Sequence, residues 1–332
     1  MAALPATPSD TAEKLQAAIA RRFGSTARVE NLTQATLGGS NRTLLFDVVQ
    51  AATRRRLVSR EETFTGPLNP FLPPAAQFQI MSRVFRAGLR VPEPMFEYEP
   101  ADALGPGFVT AFAAGESLPR RLLADTAMHA ALVPQLAGEL ARLHALPAQD
   151  FAFLAALPES GDPIAKLRGR IDALGEPHPA LEAGLRWLER HPNPARPRGL
   201  AHGDFRTGNF LVHNGALTAL LDWECSHLSV PAADIGWFCT RSWRFGRIAQ
   251  HAGGLATRAA FLAAYQHAGG TAPAEAEIRW WEIFGLIRWA MYNMLQAHGH
   301  VHGRASPAYA LCGRNVALME YDLLMTLSGD FD

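Results

Sequence analysis

Residues 202–223 read His202-Gly203-Asp204-Phe205-Arg206-Thr207-Gly208-Asn209-Phe210-Leu211-Val212-His213-Asn214-Gly215-Ala216-Leu217-Thr218-Ala219-Leu220-Leu221-Asp222-Trp223. Two apolar runs flank Asn214-Gly215, the strongest short-range signal for a two-residue hairpin. A turn there pairs Asn209 with Leu220 and carries Asp222 one same-face step further along the partner strand. Asp204 falls in a loop just upstream. Two carboxylates and one amide thus converge at the hairpin mouth. Mg²⁺ takes hard oxygen ligands, commonly one or two carboxylates with substrate phosphate oxygens. Asn209 and Asp222 are therefore candidate Mg²⁺ ligands, and Asp204 remains to orient a hydroxyl and accept its proton.

The composition around this stretch narrows the classes. The chain has 332 residues, with 31 Lys+Arg against 31 Asp+Glu, and this balance argues against a nucleic-acid partner. At 48% hydrophobic and 19% charged it holds material for a sizeable core. No apolar run reaches the roughly 18–20 residues of a membrane span. The start, Met1–Asp10, lacks the basic and apolar regions of a signal peptide. Three cysteines, Cys225, Cys239 and Cys312, make no disulfide framework and fit a reducing compartment. The expectation is a cytoplasmic globular protein with no membrane partner; its oligomeric state is not legible. Only Lys14 and Lys166 are lysines, so most cationic roles must fall to arginine.

Residues 1–26 contain an amphipathic helix pattern through Leu15, Ile19 and Phe23. Strand-like runs follow over 27–49, broken by Leu37-Gly38-Gly39-Ser40-Asn41, then again over 56–60. The four prolines of 65–74 mark a loop, and a helix is expected over 75–87. Two more strands are expected over 95–99 and 107–112. The first lobe, residues 1–112, is thus a small antiparallel sheet with one helix. Beyond it, residues 113–332 turn helical, with helices expected over 132–146, 181–191, 256–268, 275–296 and 307–327. The fold class is α+β.

The motif His202-Gly203-Asp204 with Asn209, then Asp222-Trp223, then Pro231-Ala232-Ala233-Asp234-Ile235-Gly236-Trp237, resembles the aminoglycoside phosphotransferase/choline kinase family. Leu140–Leu146 and Gly313–Tyr321 resemble the branch found fused to some acyl-CoA dehydrogenases. The resemblance covers residues 28–327 and implies a two-lobed protein-kinase-like fold. It implies ATP and Mg²⁺ as cofactors, Asp204 as catalytic base, and Asn209 and Asp222 as metal ligands. By the same resemblance Asp234 and His202 brace the catalytic loop. Gly38, Gly39, Ser40 and Asn41 take the place of the nucleotide-covering loop. Arg60 stands where relatives carry a phosphate-binding lysine, a workable exchange because arginine bridges phosphate oxygens bidentately. Gln79 stands where a glutamate normally pairs with that cation. Thr110, Ala111 and Phe112 match the hinge at which adenine meets backbone groups.

Residues 241–310 hold only Glu275, Glu277 and Glu282 as acids, against seven arginines and several aromatics. Such a lobe suits an anionic or amphipathic alcohol better than a polycation. Hydroxyacyl-CoA-like acceptors follow from the resemblance, with Arg206, Arg288, Trp289 and Tyr292 as candidate contacts. His298, Gly299, His300, Val301 and His302 are expected in an exposed loop. Two other possibilities are a nucleotide-binding module without catalysis, suggested by Gln79 and Arg60, and a metal-dependent hydrolase, for which few His/Asp ligands are available.

Overall fold

The computed structural model describes residues 8–35, 41–157, 160–193, 198–303 and 309–331. Gly38, Gly39 and Ser40 lie outside the described residues. The chain divides into two compact units, Met1–Ala114 and Gly115–Asp332.

The first unit carries α1 (Pro8–Phe23), β1 (Arg28–Gln34), β2 (Asn41–Gln50), β3 (Thr53–Glu62), α2 (Pro74–Arg86), β4 (Pro94–Glu97) and β5 (Gly107–Ala111). The five strands form one antiparallel sheet in the order β1-β2-β3-β5-β4. Two helices flank it, not one, because the amphipathic α1 packs as part of the unit. Leu15 and Ile19 of α1 close on Phe46, Val48, Leu57 and Val109, the alternate residues of one sheet face. An ionic clasp secures the C-terminal end of α1: Arg22 grips the buried Asp102 carboxylate with two hydrogen bonds of 2.9 and 2.8 Å, and Arg21 adds a third. Burial alone would raise the Asp102 pKa, but these arginines outweigh it and hold it at about 2.

The opposite sheet face carries Arg60, whose register partners are Thr43 and Phe108. On that face Phe78 of α2 packs against Phe108, ring centroids 6.0 Å apart. Gln79 is half-buried on the same helix.

The second unit holds α3 (Pro119–Ala124), α4 (Thr126–His144), α5 (Pro163–Leu174), α6 (Pro179–Arg190), β6 (Gly199–Ala201), β7 (Phe210–His213), β8 (Ala216–Leu220), β9 (His227–Ser229), α7 (Pro231–Cys239), α8 (Arg258–His267), α9 (Glu275–Val301) and α10 (Ala310–Ser328). Two antiparallel ribbons, β6–β9 and β7–β8, interrupt the helices. The helix expected over 275–296 continues to Val301, so His298 and His300 are helical rather than in a loop. Three helices, α3, α5 and α7, have no counterpart in the sequence pattern. For α7 the reason is physical: every residue from Ala232 to Cys239 is buried, so no polar face marks a helical period. No helix among the described residues is long and apolar enough to cross a membrane.

Phe46 is 1% exposed at the centre of the first unit's core. Phe46→Ala should therefore lower the unfolding free energy by about 3–5 kcal/mol. Urea unfolding followed by circular dichroism checks this.

Candidate active site

The hairpin forms where the sequence places it. Asn214 and Gly215 both have positive φ, 50° and 76°, as a type I′ turn requires. His213 pairs with Ala216 and Val212 with Leu217, but beyond them the register shifts, and Leu211 pairs with Ala219 and Phe210 with Leu220. The extra residue is Thr218, a bulge whose hydroxyl donates to the Leu211 carbonyl at 3.2 Å. Asn209 consequently faces Leu221 rather than Leu220, and its carbonyl accepts the Leu221 N–H at 2.7 Å. A sequence pattern carries no signal for such a slip. Asp222 then takes a left-handed conformation, φ 64° and ψ 67°, which aspartate tolerates better than most residues. Asp204, Asp222 and Asp234 all bear electrostatically on the His202 ring.

The backbone of residues 202–204 is held at every polar atom. Asp234 accepts the His202 N–H at 2.7 Å on one carboxylate oxygen and the Gly203 N–H at 2.8 Å on the other. Ser226 donates to the His202 carbonyl at 3.1 Å, and Arg288 to the Gly203 carbonyl at 2.8 Å. The Asp204 N–H reaches His202 Nδ1 at 3.2 Å, while Asn209 Nδ2 donates to the Asp204 carbonyl at 3.0 Å. Gly203 has φ +80°, and a Cβ there would fall 1.9 Å from the Cys225 carbonyl oxygen, so only glycine fits.

Asp234 stands in the first turn of α7, where the unpaired N–H groups favour an anion. Its carboxylate is fully buried and also receives His144 Nε2 at 3.0 Å, whose Nδ1 meets the Tyr265 hydroxyl at 2.8 Å. Tyr265 donating to Nδ1 and Nε2–H donating to Asp234 is the consistent assignment. Burial alone would raise the Asp234 pKa. The hydrogen bond from His144, the nearby imidazoles and the Gly203 N–H outweigh it and hold it at about 2, against an ordinary 3.8. His202 is driven the other way: burial lowers its pKa, only partly offset by the carboxylates around it. It braces the loop as a neutral ring packed on Trp223, centroids 4.5 Å apart.

The Asp204 side chain is oriented by three donors. Oδ1 accepts Trp237 Nε1 at 2.7 Å and Arg206 Nε at 3.1 Å; Oδ2 accepts Asn209 Nδ2. With Nδ2 turned to Asp204, Asn209 presents Oδ1 as its remaining acceptor. An amide oxygen and the Asp222 carboxylate are a donor set that fits Mg²⁺, which keeps several waters and phosphate oxygens in its shell. No group of three His, Cys, Asp or Glu that could cage a metal occurs among the described residues.

The expected acceptor contacts divide. Arg206 stands beside Asp204. Arg288 is engaged behind the loop, with its guanidinium stacked 3.9 Å over Trp237. Trp289 packs against Trp243, centroids 4.9 Å apart, and the Tyr292 hydroxyl meets Cys225 Sγ at 3.6 Å. In the first unit, the Ala111 N–H donates to the Glu93 carbonyl at 2.8 Å and the Phe112 N–H to that of Arg56 at 3.0 Å. Those two N–H groups are therefore engaged within the sheet. His144, Trp237 and Tyr265 have roles that the sequence reading did not assign. His144 and Trp237 lie inside motifs it quoted, but nothing local in a sequence says that one feeds Asp234 and the other Asp204.

Asp234→Asn leaves one of two buried backbone N–H groups facing an amide NH₂ and should cost about 2–4 kcal/mol at pH 7. Because the folded-state pKa lies below the ordinary value, the parent's advantage is complete above about pH 4 and fades as pH falls toward 2. Urea unfolding from pH 7 down to pH 3 should show the gap between parent and variant narrowing with acid. A gap that widens contradicts the assignment.

The sequence model of the phosphotransferase enzyme family matches residues 32–281. Mouse acyl-CoA dehydrogenase family member 10 is 30% identical over 207 residues, 56% of this chain and 18% of that protein. Rat family member 11 is 26% identical over 236 residues, 64% of this chain and 28% of that protein. The chain thus spans well under a third of those relatives' length. Among solved structures, a Ralstonia eutropha protein named for the aminoglycoside phosphotransferases superposes with TM-score 0.71 at 21% identity, covering 96% of this chain and 98% of that one. Macrolide 2′-phosphotransferase MphH of Brachybacterium faecium gives TM-score 0.59 at 19% identity, covering 92% and 97%. These likenesses show the kinase-like phosphotransferase fold. With three quarters of its length matched by the family's own sequence model, the chain belongs to the phosphotransferase enzyme family.

Proposed function

We propose that this protein transfers the terminal phosphoryl group of ATP to a hydroxyl of a small anionic or amphipathic molecule, with Mg²⁺ held by Asn209 and Asp222. The observation that carries this is the side-chain pairing of Asn209 with Asp204. It fixes the carboxylate and leaves the amide oxygen for a metal, and Asp222 follows the second strand of the same hairpin in the chain. Asp204 orients the incoming hydroxyl and accepts its proton as the oxygen–phosphorus bond forms and the bond to ADP breaks. The metal, when bound, supplies charge neutralisation on the phosphates. Trp237 and Arg206 keep the base in one rotamer. Arg60 on β3 and Asn41 at the start of β2 serve the nucleotide's phosphates in this proposal, as do Gly38, Gly39 and Ser40 in the preceding segment.

The acceptor class rests on charge. The second unit's region around residues 241–310 is rich in arginine and poor in acids, unfavourable for the polycationic antibiotics. One neighbour with this fold was solved with AMP-PNP and hygromycin B bound. Hydroxyacyl-CoA-like alcohols fit the charge better and accord with the acyl-CoA dehydrogenase relatives. A second reading, nucleotide binding without transfer, is favoured only by Gln79, whose amide supplies no charge to Arg60.

Asp204→Asn should lower kcat by about 10²–10⁴-fold. Its new NH₂ faces one of the donors that Asp204 accepts, so the thermal midpoint should also fall by several degrees. Turnover is compared at a temperature where circular dichroism shows both proteins folded. The assay is ADP release over a panel of alcohols and hydroxyacyl thioesters. Parent-like turnover in that variant contradicts the proposal. ATP binding by the parent without release across the panel favours the second reading. Chelation of divalent ions should stop turnover. Asp222→Ala should shift the Mg²⁺ concentration giving half-maximal rate upward by about tenfold or more, since one of two protein ligands is gone.

A further inference from the structure

Arg206 is placed in a way that bracing Asp204 does not explain. Its Nε donates to Asp204 Oδ1 at 3.1 Å, and its Cζ lies over the Trp243 ring, 4.6 Å from the centroid. Among the described residues the two terminal nitrogens make one hydrogen bond, from Nη1 to the Thr207 carbonyl at 3.5 Å, at the limit for such a bond. No second carboxylate meets the group among the described residues, and its side chain keeps 23% of its surface exposed. The neighbouring backbone makes room for it. Gly208 has φ +114°, and a Cβ there would come within 2.9 Å of Arg206 Nη1.

A stacked guanidinium with its Nε side fixed has one fork left, and that fork suits a carboxylate bidentately. Whatever binds it lies close to the base. The Asp204 oxygen and the bound anion are then separated by about two hydrogen-bond lengths, roughly 6 Å. The surroundings are apolar: the Trp243 ring neighbours Phe245 at 6.5 Å and Trp289 at 4.9 Å, and Phe245 is exposed.

We infer that Arg206 is a specificity-determining residue that binds a carboxylate on the acceptor, a few bonds from the hydroxyl that Asp204 activates. The exposed Phe245 ring and the half-buried Trp289, both packed on the buried Trp243, take the acceptor's hydrocarbon part. The acceptor class is accordingly an aliphatic hydroxy acid with its carboxylate free, which narrows the anionic acceptors proposed above and sets aside the hydroxyacyl thioesters, whose carboxyl is esterified and whose anionic groups are remote. This inference rests on Asp204 being the base, as proposed above.

The test uses the full chain and the probes 3-hydroxyoctanoate and its methyl ester. Tryptophan fluorescence is titrated first without nucleotide, then ADP release is measured with ATP and Mg²⁺. The parent should bind the acid about tenfold or more tightly than the ester, the difference expected of a charge-assisted hydrogen-bonded pair. Arg206→Gln should erase that preference, and Arg206→Lys should restore part of it. In turnover, Arg206→Gln should raise KM for the acid by about tenfold or more and leave KM for the ester and for ATP within about twofold.

Equal binding of acid and ester by the parent overturns the inference, as does no saturable binding of either. A preference that survives in Arg206→Gln, or a loss falling on the KM of ATP, also overturns it. The parent's comparison of acid with ester stands even where a variant fails to fold. Failure of the underlying reading is separable: a fully active Asp204→Asn would show that Asp204 is not the base, whereas the acid-over-ester preference is read in the parent without nucleotide.

Discussion

A carboxylate buried to exclusion of solvent sets the geometry of the catalytic segment. Burying an ion is unfavourable by several kcal/mol unless donors replace the lost water. Asp234 has two backbone N–H groups from the loop, an imidazole from α4 and the N-terminal end of its own helix. The donors are therefore not optional, and the loop must come to the carboxylate. The same nine-residue helix places Trp237 three positions on, where its indole N–H reaches Asp204. One short element thus holds the backbone before Asp204 and the Asp204 side chain itself.

The second support comes from α9. Arg288 donates to the Gly203 carbonyl and stacks on Trp237, so the helix braces both loop and indole. Positions expected to touch an acceptor are in this way divided between two tasks. Arg288 donates to the loop carbonyl, while Arg206 pairs with Asp204 and meets no second carboxylate among the described residues. A lobe rich in arginine need not be an anion site throughout; what each guanidinium already contacts decides.

Much of this was legible in the sequence, for identifiable reasons. Asn-Gly between apolar runs determines a turn through local backbone preference, and the turn formed. The carboxylate, amide and carboxylate around it read as one chemistry because few structural requirements need all three. What escaped the sequence was long-range or unpatterned. The bulge at Thr218 moved Asn209 opposite Leu221, a slip of one residue that no hydrophobic period records. Helix α7 is buried all round and so shows no amphipathic signal. His144 reaches Asp234 from 90 positions away and Tyr265 reaches His144 from 121 positions away, a chain of contacts that appears only when α4, α7 and α8 are packed. Nor does the sequence show that the Ala111 and Phe112 N–H groups bond the Glu93 and Arg56 carbonyls.

The most direct measurement is a crystal structure with Mg²⁺ and a non-hydrolysable ATP analogue. A metal ion about 2.1 Å from Asn209 Oδ1 and from an Asp222 carboxylate oxygen, with the terminal phosphate presented toward Asp204, is the expected result. A metal held elsewhere, or an Asp204 carboxylate turned away from the terminal phosphate with its Trp237 and Asn209 bonds broken, would contradict it.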